Sequence, residues 1–125
     1  MNAVLGIGLL ALTAVGFVFC YLGFLWLTGR MGRGARLGIR MAAITASDEA
    51  WGAAHRAGGP ILLLGGAPVF AAGLAFFPFA FAGKIDELFA IVIMMVSAGV
   101  LVGTSFSALT TALTAANGAA ANRAG

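Results

Sequence analysis

Residues 30–59, RMGRGARLGIRMAAITASDEAWGAAHRAGG, form the one long polar stretch of a chain that is otherwise almost free of charge. They hold Arg30, Arg33, Arg36, Arg40 and Arg56, five of the seven basic residues, together with Asp48, Glu49 and the single histidine, His55. On the N-terminal side lies the run from Asn2 to Leu27, and on the C-terminal side the run from Pro60 to Phe81, neither carrying Asp, Glu, Lys or Arg. At 1.5 Å per residue, either run is long enough to cross a ~30 Å hydrocarbon layer. The polar stretch therefore reads as a connector between two membrane spans.

Composition supports this reading. The 125 residues are 62% hydrophobic and only 9% charged, with a mean hydropathy of +1.06, whereas roughly a quarter of the residues in soluble domains are charged. Cys20 is the only cysteine, so no intrachain disulfide or thiolate metal cluster can be built. The net charge of +3 would suggest nucleic acid in a soluble domain. Beside hydrophobic spans the nearer partner for arginine is the lipid headgroup, and no nucleic acid is expected.

The chain is thus expected to be an all-α membrane protein with three transmembrane helices. Residues 1–29 read as the first span, with the N-terminus outside; Met1-Asn2-Ala3-Val4 lacks the basic start of a signal peptide, so the span is expected to be retained. Tyr21 and Trp26 suit the headgroup level, where the polar edge of an aromatic ring stays wet. Residues 30–59 read as a cytoplasmic basic loop ending in a short amphipathic interfacial helix, and 60–82 as the second span. Pro60 suits the first turn of that span, and Pro68 is expected to disturb it by withholding the hydrogen bond to the Leu64 carbonyl. Residues 83–87 form a short external turn, 88–115 the third span, and 116–125 a frayed cytoplasmic tail. Six arginines on the loop-and-tail side against Lys84 on the other set this orientation by the positive-inside rule.

Within the third span Gly99, Gly103, Ser107 and Thr111 recur every four residues. That spacing lines small side chains along one face, a helix-packing pattern open to another span or another copy of the chain. Arg30, Arg33 and Arg36 are expected to meet lipid headgroups. The glycines among them, at 29, 32, 34 and 38, argue against a charged helix of the voltage-sensing kind.

Ser47-Asp48-Glu49 reads as a helix start, with Ser47 accepting from an orphan N–H and two carboxylates at the positive end of the dipole. Trp51 and His55 then fall one turn apart on one face, with Trp51 as an interfacial anchor. Gly58 and Gly59 are expected to end this helix, which would place His55 near its C-terminus, where the dipole and Glu49 favour a charged imidazole. No metal-ligand spacing and no nucleophile with its base is evident, so neither metal, cofactor nor enzymatic activity is expected. An exposed, partly aromatic recognition patch is the best functional reading.

Gly38-Ile39-Arg40, then Ser47-Asp48-Glu49-Ala50-Trp51, then His55-Arg56-Ala57-Gly58, placed between two spans, resembles the SdpI family of small multi-span bacterial membrane proteins. Its pattern is close to G-I/Y-R-T, S-x-E-x-W and N/H-R-x-x-G. Met41-Ala42 stands where the family has Thr, often followed by Pro, and the extra spans of longer members have no counterpart here. The resemblance makes Gly38, Arg40, Ser47, Glu49, Trp51, His55, Arg56 and Gly58 the motif positions. It implies immunity to a membrane-active peptide or sequestration of a cytoplasmic regulator, in a bacterial plasma membrane. The partners so implied are membrane lipids and a peptide toxin, soluble regulator or larger membrane complex, with homo-oligomers open. An accessory subunit of such a complex is the alternative. An oligomeric transporter ranks lower, because no charged side chain lies inside a span.

Overall fold

The computed structural model describes residues 2–29, 42–45 and 47–124, which form four helices. These are α1 (Asn2–Leu27), α2 (Ala42–Thr45), α3 (Asp48–Phe81) and α4 (Glu87–Ala124). Three of them, α1, α3 and α4, are long and apolar enough to cross a membrane. Arg30, Arg33, Arg36, Gly38 and Arg40 lie outside the described residues, as do the expectations placed on them.

Gly29 ends α1 with a positive φ of 69°. The turn between α3 and α4 is closed by hydrogen bonds from Lys84 N to Phe79 O and from Gly83 N to Ala80 O, 2.9 and 3.1 Å long. That paired pattern needs a left-handed residue at Gly83, whose φ is 70°. Helices α3 and α4 therefore run antiparallel and side by side.

Two expectations about α3 are overturned. The helix that starts after Ser47 is not separate from the second span: Asp48–Phe81 is one helix of 34 residues, with Pro60, Pro68 and Pro78 inside it. Gly58 and Gly59 do not stop it. Each costs ~1 kcal/mol in helix propensity relative to Ala, yet both are buried where neighbouring backbones come close. A Cβ built on Gly59 would lie 2.9 Å from Gly23 O, and one on Gly58 would lie 3.3 Å from Ala108 O. Packing of this kind outweighs local propensity. Likewise the expected fraying past residue 115 is replaced by helix continuing to Ala124.

Helix α3 is the centre of the bundle, with α1 on one side and α4 on the other, and the two outer helices meet each other only sparingly. The α1·α3 seam is made by glycines seven residues apart, Gly16 and Gly23 against Gly59, Gly66 and Gly73. A Cβ on Gly16 would meet Phe70 N at 2.8 Å, and one on Gly66 would meet Gly16 O at 2.9 Å. Lipid tails are as apolar as leucine, so spans associate by such close approach rather than by hydrophobic burial.

The 34 residues of α3 extend about 51 Å at 1.5 Å per residue, well beyond a ~30 Å hydrocarbon layer even when tilted. Its charged residues and histidine all lie in the first nine positions. The excess length therefore sits at the N-terminal end, where α2, the start of α3 and the last third of α4 pack into a small head.

Candidate functional site

The head is built from the cap upward. Ser47 adopts extended backbone (φ −156°, ψ 164°), and its Oγ accepts from Ala50 N at 3.0 Å, so the expected cap is present. Asp48 and Glu49 occupy the first turn, where the dipole favours negative charge. The following residues bury a core of Ala50, Trp51 and Ala54 against Ile44 of α2 and Ala112 and Ala116 of α4.

Trp51 is thus not an interfacial anchor; it is 4% exposed. Its ring lies against that of His55, with centroids 4.1 Å apart and planes 33° apart. Trp26, from the last turn of α1, meets the same imidazole edge-on, with centroids 4.7 Å apart and planes at 83°. His55, 3% exposed, is held between two indoles contributed by different helices. Its Nδ1 lies 2.8 Å from the Trp51 carbonyl oxygen. A carbonyl can only accept, so Nδ1 carries the proton and donates. The expected helix end beside His55 is absent, and the dipole argument for a charged imidazole goes with it.

Trp26 departs from expectation as well. It is 6% exposed, and its Nε1 is a buried donor with no acceptor among the described residues. No motif in the sequence points to Trp26.

The motif residues divide into two sets. Trp51, His55 and Gly58 are buried, whereas Glu49 and Arg56 are exposed and Ser47 is half-buried. Glu49 and Arg56 are seven residues apart, which places them on the same side of the helix. The Arg56 guanidinium folds back over Gly52, where a Cβ would meet Nη1 at 3.6 Å. The buried set packs inside the head and the exposed set lies on its surface.

The expected packing stripe on α4 turns outward. Gly99, Gly103 and Ser107 are exposed and Thr111 is half-buried, with nothing within 4 Å of a Cβ at either glycine. Ser97, Leu101, Thr104, Ala108, Ala112 and Ala116 form the buried face of the same helix. This face also has a spacing of about four residues.

Three spans, the central one flanked by the other two, with a histidine clamped by two indoles at one end, define a small multi-pass membrane protein bearing a packed head. Residues 30–114, 85 of the 125, match the SdpI/YfhL protein family, and the chain belongs to that family. No curated protein and no solved structure matches it. The matched segment begins after α1, so the Trp26–His55 contact joins the family segment to a helix outside it.

Proposed function

We propose that this chain is a non-enzymatic member of its family that binds a protein partner through the head. It acts either as immunity to a membrane-active peptide or by holding a cytoplasmic regulator at the membrane. The supporting observation is the division of the motif: Glu49 and Arg56 are exposed on a head whose interior holds Trp51 against His55. Paired opposite charges at fixed spacing suit recognition of a polar peptide surface. In this reading the chain lies in a bacterial plasma membrane with the N-terminus outside, and the head and C-terminus in the cytoplasm, following the cation count.

The test uses the exposed pair. Glu49→Ala and Arg56→Ala should leave membrane insertion intact and either abolish protection in cells challenged with a secreted membrane-active peptide or set the regulator free in a reporter strain. If both variants behave as wild type in both assays, the head is not the site.

One observation favours a second reading, an accessory subunit of a larger membrane complex. Gly99 and Gly103 present a close-approach face that no described residue of the chain fills. Under that reading a stoichiometric partner co-purifies in mild detergent and is lost in Gly103→Leu.

A further inference from the structure

We infer that Gly58-Gly59-Pro60 is a hinge between the head and the span of α3, and that Trp26 of α1 is the latch that holds it closed. Pro60 has no N–H to offer the Arg56 carbonyl, and its ring crowds the preceding turn. The two glycines before it are the poorest helix formers after proline, and sharp helix bends gather at such positions. Yet α3 continues through all three residues, so contacts from outside hold it together there. Pro68 follows a similar pair, Gly65-Gly66, but α1 backbone supports it on both sides. Gly16 O lies 2.9 Å from a Cβ built on Gly66, and Thr13 Cα lies 3.1 Å from one on Gly73.

At Pro60 that support stops. A Cβ on Gly59 would lie 2.9 Å from both Gly23 O and Leu27 N, and Leu27 is the last residue of α1. Trp26 reaches across the joint from this final turn. Its ring meets that of His55, on the head side, with centroids 4.7 Å apart. It packs with Leu62 on the span side, and its Cζ3 would lie 3.3 Å from a Cβ on Gly58. One indole therefore touches α3 before, at and after the weak point.

Helix α4 also crosses this level, and it is softened there. Ala108 O lies 3.3 Å from a Gly58 Cβ. On either side of Ala108, the Ser105 and Thr110 hydroxyls donate back to Leu101 O and Phe106 O at 2.9 and 2.8 Å, bonding that weakens and bends helices. The head core joins α3 to α4 through Ala54, Ala112 and Ala116, so the head can tilt as a unit while both helices bend at one depth. The seat of α1 on α3 then sets where the exposed Glu49 and Arg56 point. The hinge does not rest on what those side chains bind.

Double electron–electron resonance in nanodiscs tests it, in a Cys20→Ser chain. Nitroxides go on cysteines at Asp48, exposed at the tip of the head, and at either Tyr21 of α1 or Val102 of α4, both exposed. Asp48 lies ~18 Å along the helix from Pro60, so a bend of about 20° moves it by about 6 Å. Trp26→Ala should shift the distance, or add a second population, by ~3 Å or more in at least one pair, since a tilt that one reference views edge-on the other does not. Trp26→Phe, which keeps a smaller ring in place, should move the same pair less. Pro60→Ala returns an N–H to the Arg56 carbonyl; added to Trp26→Ala it should restore the parent distances, and alone it should leave them unchanged. Parent distances in Trp26→Ala overturn the proposal, as does a shift that Pro60→Ala fails to reverse. A third pair, Leu10 with Leu74, both exposed, lies wholly on the span side. If it shifts along with the head pairs, the bundle has loosened as a whole and the proposal fails.

Discussion

Helix α3 packs by different means along its length. Toward α1 it offers Gly59, Gly66 and Gly73, and backbones approach until a single Cβ would collide. Toward α4, at the head, it offers Trp51 and Ala54, with His55 stacked beside them, and the partners are side chains. The surroundings explain the contrast. Inside lipid, large apolar side chains gain nothing by choosing protein over hydrocarbon, so close backbone contact is what remains. Beyond the hydrocarbon, burying an indole removes apolar surface from water, at about 25 cal/mol per Å². One helix thus changes its packing rule along its length.

The contrast can be broken at the seam first. In Gly66→Leu the new side chain would start 2.7 Å from Phe19 Cβ, with Gly16 O and Cys20 N next in line at 2.9 and 3.1 Å. Backbone cannot step aside as a flexible side chain can, so the penalty should exceed the usual ~1–3 kcal/mol of overpacking. We expect α1 to separate from α3, seen as loss of a crosslink between cysteines placed at Phe17 and Phe70, whose rings lie 5.7 Å apart, in a chain whose Cys20 is replaced by Ser. The head should come next. Trp51→Ala removes a buried aromatic worth about 3–5 kcal/mol, and should lower the unfolding midpoint in detergent while leaving the Phe17–Phe70 crosslink in place. This makes Trp51→Ala a poor probe of partner binding, because lost function would follow from a collapsed head.

How far the sequence could be read follows the same division. Three spans, the tight turn at Gly83 and the Ser47 cap were legible, because length, apolarity and capping chemistry are local properties. The family motif was legible too, since its residues lie close together in the chain. What escaped was packing between distant segments. The seven-residue glycine spacing on α1 and α3 means little in either helix alone and becomes a seam only when the two are paired. In α4 the four-residue spacing of Gly99 and Gly103 drew attention, while Thr104, Ala108, Ala112 and Ala116, at a similar period, took the buried face. Trp51 and His55 were placed on one face correctly, yet that face was assigned to the interface because nothing local shows that α4 continues to Ala124 and covers it. Pro60 after two glycines is a sound local stop signal; α1 and α4 close over Gly58 and Gly59 and cancel it.

The smallest effect separates the head from its scaffold most cleanly. Ser47→Ala removes the acceptor for Ala50 N and should cost about 1 kcal/mol, the usual worth of an N-cap. That is too little to unfold a 34-residue helix seamed to α1 by glycines. The loss should therefore stay local: amide exchange should quicken at Ala50 and Trp51, whose N–H groups lean on Ser47 through its side chain and its carbonyl, the latter at 3.0 Å. Exchange at Val69 and Gly73, deep in the seam, should not change. If exchange quickens equally at both ends, α3 behaves as a single cooperative rod and the two packing rules do not mark two separable regions. If it quickens only at the head, the first turns of α3 can loosen while the span holds. A partner bound there could then reshape the head without disturbing the part of the helix that lipid surrounds.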